Sequence, residues 1–257
     1  MNSHHPSPTT TLQDQIDAYW TGRAEAYHAH QLESERAPYD RALWRRVWAE
    51  ALPEGHLRIA DMGTGSGYVA NLLADAGHQV TGVDSSPGMI TAAEAETQRR
   101  RDAGLPTAEF LAGDAINPPL ADASVDAVTS RYLLWTLTDP VAALRSWSRL
   151  VVPGGIIACV DAPWFPHGIS EETEVVSEDG PDAFTRTYHP GTLEHLPLAE
   201  AQGAEDFAAV FTAAGLIDVT VTPIPEVNEL DRSFELSPGH ESSPQYVVTG
   251  RVAEKEQ

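Results

Sequence analysis

Asp61-Met62-Gly63-Thr64-Gly65-Ser66-Gly67 follows the apolar run Leu57-Arg58-Ile59-Ala60 and opens onto a segment with helical periodicity. A strand that passes through a glycine-rich turn into a helix is a ligand-binding element. Glycine admits backbone conformations closed to other residues and lets N–H groups approach a ligand, while the helix start adds unpaired donors. The next apolar run, Gln79-Val80-Thr81-Gly82-Val83, closes on Asp84, 17 residues beyond Gly67. An acid near that distance suits a nucleoside ribose in nucleotide folds built on two adjacent strands.

The glycine spacing separates two nucleotide readings. A dinucleotide fingerprint is G-x-G-x-x-G, whose third glycine permits close helix packing. Here the spacing is G-x-G-x-G, with an acid two residues before the first glycine. This arrangement resembles motif I of class I S-adenosylmethionine-dependent methyltransferases. The likeness continues in order through Val83-Asp84-Ser85-Ser86-Pro87-Gly88-Met89, Gly113-Asp114-Ala115 and Leu150-Val151-Val152-Pro153-Gly154-Gly155, spanning roughly residues 57 to 160.

Composition narrows the function. A chain of 257 residues accommodates one elaborated α/β domain. Its formal net charge of −22 opposes a polyphosphate partner, so no nucleic acid is expected. The only lysine is Lys255, and Arg45-Arg46 and Arg99-Arg100-Arg101 fall on expected helices with acids close by, as solvated faces do. Cys159 is the sole cysteine, which excludes an intramolecular disulfide and a cysteine-rich metal site. The first 11 residues have neither the basic region nor the apolar core of a leader, and no later run approaches a membrane span. A cytoplasmic protein with a disordered tail over residues 1–11 is therefore expected, with no membrane partner. Adjacent His4 and His5 in such a tail form no preorganised site, and no metal is expected.

Periodicity divides the remainder into a helical cap (12–55), a cofactor-binding core (56–160), an acidic insert (161–205), and a final helix with a β-hairpin (206–257). In the cap, Ile16, Tyr19, Trp20, Arg23 and Tyr27 recur at helical intervals, followed by Leu43, Trp44, Val47 and Trp48. Strands are expected near 57–61, 79–83, 110–112, 125–129 and 156–160, and helices near 68–76, 87–102 and 142–150. Later come a helix over 206–214 and strands over 219–221 and 246–249. Alternation of this kind builds a mostly parallel sheet. The resemblance implies a Rossmann-like α/β fold of seven strands in the order 3-2-1-4-5-7-6, with strand seven antiparallel.

Residues 161–206 hold 11 acids against the single Arg186. Their Pro, Gly and aromatic content, including Pro163-Trp164-Phe165-Pro166-His167-Gly168, suits a substrate-side wall or lid as well as a solvated acidic loop.

The resemblance also distributes roles. Gly63, Thr64 and Gly65 face the methionyl part of S-adenosyl-L-methionine, and Asp61 orients the turn and the cofactor's amino group. Asp84, followed by Ser85, accepts the ribose hydroxyls. Met89 either flanks the adenine or packs in the core. Gly113, Asp114 and Ala115 meet the adenine edge, a carboxylate taking the exocyclic amine and a backbone N–H the ring nitrogen. Arg131 borders cofactor and acceptor, its backbone toward the cofactor and its guanidinium free to pair with an acid elsewhere. Arg23 or Tyr19 reaches the cofactor carboxylate.

For the acceptor, the aromatic residues Tyr27, Trp135, Trp164, Phe165 and Tyr188 could hold a flat organic molecule, and His189 could remove a proton. Proximity alone can supply about 7–11 kcal/mol, so methyl transfer requires no catalytic triad. The expectation is a methyltransferase acting on an oxygen or nitrogen of a small organic acceptor and releasing S-adenosyl-L-homocysteine, as a monomer or homodimer. Its rivals are a nucleotide-dependent oxidoreductase, which the glycine spacing disfavours, and a non-catalytic cofactor-binding interaction protein. An aminopropyltransferase shares such a core, but no clear motif for a decarboxylated cofactor stands beside strand four.

Overall fold

The computed structural model describes residues 11–169, 176–177, 180–234 and 242–254. The expected tail therefore lies outside the described residues except for Thr11, which caps the first helix. Thr11 Oγ1 accepts from the Asp14 N–H while Asp14 accepts from the Thr11 N–H, a reciprocal box that starts α1 (Leu12–Glu33). After α2 (Ala37–Ala51) the chain alternates strand and helix: β1 (Arg58–Met62), α3 (Tyr68–Asp75), β2 (Gln79–Asp84), α4 (Pro87–Asp102), β3 (Glu109–Ala112), β4 (Val125–Arg131), α5 (Pro140–Leu150) and β5 (Val151–Asp161). The two-residue strands β6 (Val176–Ser177) and β7 (Gly180–Pro181) form a small separate ribbon. The short helices α6 (Ala183–Thr187) and α7 (Pro190–Leu193) follow, then α8 (Ala204–Ala213), β8 (Ile217–Pro223), α9 (Pro225–Ser233) and β9 (Tyr246–Arg251).

Seven strands form the main sheet in the order β3-β2-β1-β4-β5-β9-β8. Numbered within that sheet the order is 3-2-1-4-5-7-6, and β9, the seventh strand, runs antiparallel to both neighbours. The order reverses between β1, which leads out to β2 and β3, and β4, which leads to β5. At such a switch point the carboxyl ends of the strands leave a crevice for ligands.

Each face of the sheet carries its own apolar layer. On one, α2 contributes Leu43, Trp44, Val47 and Trp48 to the cluster that holds Ile59, Val80 and the α3 residues Val69, Leu72 and Leu73. On the other, α5 and α8 bring Leu144, Trp147, Phe207 and Phe211 against Met62, Val128 and Ile157. The segment read as a single cap thus divides: α2 is rooted in the sheet's hydrophobic layer, whereas α1 lies against α4.

Two further departures have local causes. β5 begins at Val151 rather than 156, because Gly155 passes so close to Asp126 that a side chain would not fit, and this keeps the segment in the sheet beside β4. The expected terminal hairpin is an antiparallel pair with α9 inserted between its strands. Half of the acidic insert is packed structure: Tyr188, Leu193, Leu196 and Ala199 form a third cluster with Ile16 and Trp135. Glu171, Glu172, Glu174, Glu178 and Asp179, on which much of its charge rests, lie outside the described residues.

Candidate active site

The glycine turn sits at the carboxyl end of β1. Gly63, Gly65 and Gly67 all have positive φ, at 63°, 56° and 83°. A Cβ on Gly63 would stand 2.8 Å from Leu133 Cδ1, so a side chain there would strain the left-handed backbone and displace the Leu133 side chain that follows β4. Asp61 is 1% exposed and accepts from Thr64 Oγ1 at 2.7 Å and Thr129 Oγ1 at 2.8 Å. These bonds tie the turn to β4. Burial pushes the Asp61 carboxyl up to about 6, against the pull of both hydroxyls and of Arg131.

Asp84 reaches back across the turn. Its Oδ2 accepts from the Gly65 N–H at 2.8 Å and its Oδ1 from the Ser86 N–H at 2.9 Å. Each carboxylate oxygen has two acceptor positions, so one on each remains for a vicinal diol. Burial raises its carboxyl above the ordinary value. Ser85 donates to Asp17 Oδ1 at 2.6 Å, and Thr21 and Ser86 hydroxyls meet at 2.9 Å, so α1 is bonded directly to the β2–α4 turn. Met89 is buried, and its sulfur lies 3.8 Å from where a Gly65 side chain would begin. The Gly113 N–H donates to the Asp84 carbonyl at 2.9 Å, bringing the post-β3 loop to the same edge. Asp114 is exposed and accepts from the Ile116 N–H at 2.8 Å, while the Ala115 carbonyl takes the Trp147 indole at 2.7 Å.

Asp61, Gly63, Thr64, Gly65, Tyr27 and Arg131 line one recess, walled also by Gln31, Tyr68 and Val69. Arg131 faces it from the end of β4 with its guanidinium carbon 4.9 Å from the Trp44 ring, 4.9 Å from Tyr68 and 5.0 Å from Tyr132. Tyr27, read from sequence as an acceptor contact, is on this recess beside the glycine turn. Tyr19 and Arg23 are not among its lining residues. Tyr19 packs edge-on against Trp20, Phe184 and Tyr188, and Arg23 is exposed.

The residues read as an acceptor wall separate into two groups. Trp135 and Tyr188 are 5% and 0% exposed, with ring centroids 4.8 Å apart, and are interior packing. Tyr188 Oη accepts from Trp20 Nε1 at 2.9 Å and lies 3.0 Å from Thr136 Oγ1. Trp164 and Phe165 are half-buried, and Trp164 meets Tyr132 edge-on at 5.1 Å, next to Arg131. His189 is exposed at the start of α7, where its Nε2 lies 3.3 Å from Thr192 Oγ1. The geometry therefore gives no support to His189 as the base.

Asp161, at the end of β5, went without a role in the sequence reading. It is 1% exposed and accepts from Trp164 Nε1 and the Ala162 N–H, each at 2.9 Å, and from the Trp135 N–H at 3.3 Å. Burial pushes its carboxyl up to about 7. The signal for it was present: like Asp61 and Asp84, it is an acid that follows an apolar strand at the carboxyl edge of the sheet.

The methyltransferase domain family model matches residues 60–159. The demethylmenaquinone methyltransferase of Paenarthrobacter aurescens is 36% identical over 185 residues, covering 69% of this chain and 69% of that protein. The chain belongs to the class I S-adenosylmethionine-dependent methyltransferases. The ubiquinone/menaquinone biosynthesis C-methyltransferase UbiE of Rubrivivax gelatinosus is 31% identical over 189 residues, 69% of this methyltransferase and 70% of that one. With other demethylmenaquinone methyltransferases the match spans about half of their length. Among solved structures, Haemonchus contortus phosphoethanolamine N-methyltransferase 2 in complex with S-adenosyl-L-methionine has the same fold, with a TM-score of 0.69 at 16% identity, over 97% of this chain and 62% of that one. The family's cofactor is S-adenosyl-L-methionine, and the glycine cradle, the free acceptor positions of Asp84 and the recess beside Asp61 fit it.

Proposed function

We propose that this methyltransferase transfers a methyl group to a ring carbon of a small hydroquinone-type acceptor. The observation that carries the reading is the approach of two surfaces at the switch point. Arg131, which lines the recess with Asp61 and Gly65, stands over the ring of Tyr132, and Tyr132 meets Trp164 edge-on at 5.1 Å, an aromatic pair that suits a flat ring. Kinship with quinone-pathway enzymes, one of them named a C-methyltransferase, favours carbon over the oxygen or nitrogen expected from sequence alone.

In this reading Gly63, Thr64 and Gly65 take the methionyl chain and Asp84 takes the ribose, with Met89 against the base. Gly113, Asp114 and Ala115 form the adenine edge, where the Asp114 carboxylate keeps acceptor positions beyond the one bonded to Ile116. Bound there, the cofactor would supply an electrophilic sulfonium methyl: the ring carbon bonds it as the methyl–sulfur bond breaks, S-adenosyl-L-homocysteine leaves, and the ring C–H proton is released to solvent. The chain's part is orientation. Trp164, fixed through its indole N–H by Asp161, holds the acceptor ring at a set tilt, and α1 closes over the site to exclude water.

The test is an acceptor panel of demethylated naphthohydroquinone, benzohydroquinone, catechol and aryl amine, incubated with trideuteromethyl cofactor and analysed by mass spectrometry and proton NMR. The expected product carries the label on a ring carbon of a hydroquinone. Label found only in ether or amine methyls would replace this reading with O- or N-transfer.

A further inference from the structure

We propose that the Arg131 guanidinium is the receptor for the carboxylate at the amino-acid end of the cofactor, and that this makes the negative charge a condition of binding. The inference rests on the cofactor reading above and assigns a residue that sequence reasoning placed there by its backbone only.

Arg131 lines the recess shared by Asp61, Gly63, Thr64 and Gly65. Its guanidinium is seated over the rings of Trp44, Tyr68 and Tyr132. Among the described residues it forms none of the nine ion pairs and no side-chain hydrogen bond. Aromatic rings hold the faces of a guanidinium by cation–π attraction and leave its N–H edge unsatisfied. The partner that edge fits best is planar and anionic, because a carboxylate accepts two parallel N–H bonds from one arginine.

Asp61 supplies the other half of the argument. Both its oxygens are engaged by threonine hydroxyls, so it does not close on Arg131, yet it lines the same recess. A cation and an anion held apart at one recess suit a zwitterion: the ammonium of an α-amino acid toward Asp61 and its carboxylate toward Arg131. Arg23, the rival from sequence, is exposed and absent from this lining. The arrangement also rejects a decarboxylated cofactor, which would leave Arg131 without its anion, and so weighs against aminopropyl transfer.

Calorimetric titration of the full chain with three nucleosides tests this: S-adenosyl-L-homocysteine, its decarboxylated analogue, and 5′-methylthioadenosine, which lacks the amino-acid end. Wild type should favour S-adenosyl-L-homocysteine over both others by about 10- to 100-fold, the range for charge-assisted bonds. Arg131→Met should erase most of the preference over the decarboxylated analogue while changing 5′-methylthioadenosine affinity less than about threefold, and Arg131→Lys should retain part of that preference. Equal binding of the decarboxylated analogue to wild type overturns the proposal without recourse to a variant that fails to fold. So does an Arg131→Met protein that keeps the preference, or its collapse in Arg23→Ala instead. Wild type that binds none of the three fails at the cofactor reading itself, and the Arg131 assignment falls with it.

Discussion

Two side chains at the site's edge make claims that single substitutions can test. Asp161 holds its proton more tightly folded than unfolded, because burial raises its carboxyl to about 7. Its contribution to stability is therefore fully present below the unfolded carboxylate value of about 4 and is lost as pH rises through 7. Wild type should melt at progressively lower temperature between pH 5 and pH 8, and Asp161→Asn should flatten that slope; an unchanged slope would contradict the assignment. His189, exposed at the start of α7, should be dispensable: His189→Ala is expected to keep kcat/KM within about twofold, whereas removing a general base typically costs about 10²- to 10⁴-fold. Legibility at this scale followed locality. Asp61, Gly63 and Gly65 sit in one turn of a few residues and Asp84 closes the next strand, so their spacing made them visible in sequence. The Arg131 seat joins Trp44, Tyr68 and Tyr132 across 89 residues of chain and exists only once α2, α3 and β4 are packed together.

Among the elements, α1 and α2 differ in what holds them. α2 buries two tryptophans in the sheet's own layer, whereas α1 packs Ile16 into the third cluster and is bonded to the β2–α4 turn through Asp17 and Thr21 and to Tyr188 through Trp20. Amides of α1 should therefore exchange with deuterium faster than those of α2, and Ser85→Ala should accelerate α1 exchange without affecting α2. Equal protection of the two helices, or no response to Ser85→Ala, would refute the distinction. Periodicity revealed both helices, α2 by its apolar stripe and α1 by aromatic residues at helical intervals, but it carries no information on which layer either face meets. For the same reason α9 and the short helices α6 and α7 were not foreseen. Helices of four or five residues offer too few turns for a period to emerge, α9 buries only Val227, and the start signals Pro190 and Pro225 equally mark loops.

At the scale of the whole molecule, the sheet order was legible only through family likeness, since alternation of strands and helices fixes a parallel sheet without fixing which strands are neighbours. The net charge of −22 adds a property independent of the site. Self-repulsion of that size is screened over about 10 Å at 0.1 M salt, so raising sodium chloride from about 0.01 M to 0.5 M should raise the melting temperature. A fall over that range would mean that attractive surface pairs, such as Arg58–Asp126, outweigh the repulsion.

The central claim is that the glycine turn and Asp84 together form an S-adenosylmethionine site, and calorimetric titration of wild type and Asp84→Ala with S-adenosyl-L-methionine and NADH tests it most directly. The account predicts binding of the sulfonium nucleoside and not of NADH by wild type, with affinity falling at least about 10-fold in Asp84→Ala as the ribose loses its acceptor and the Gly65 and Ser86 N–H groups lose theirs. NADH binding without S-adenosyl-L-methionine binding, or affinity indifferent to Asp84, would contradict it.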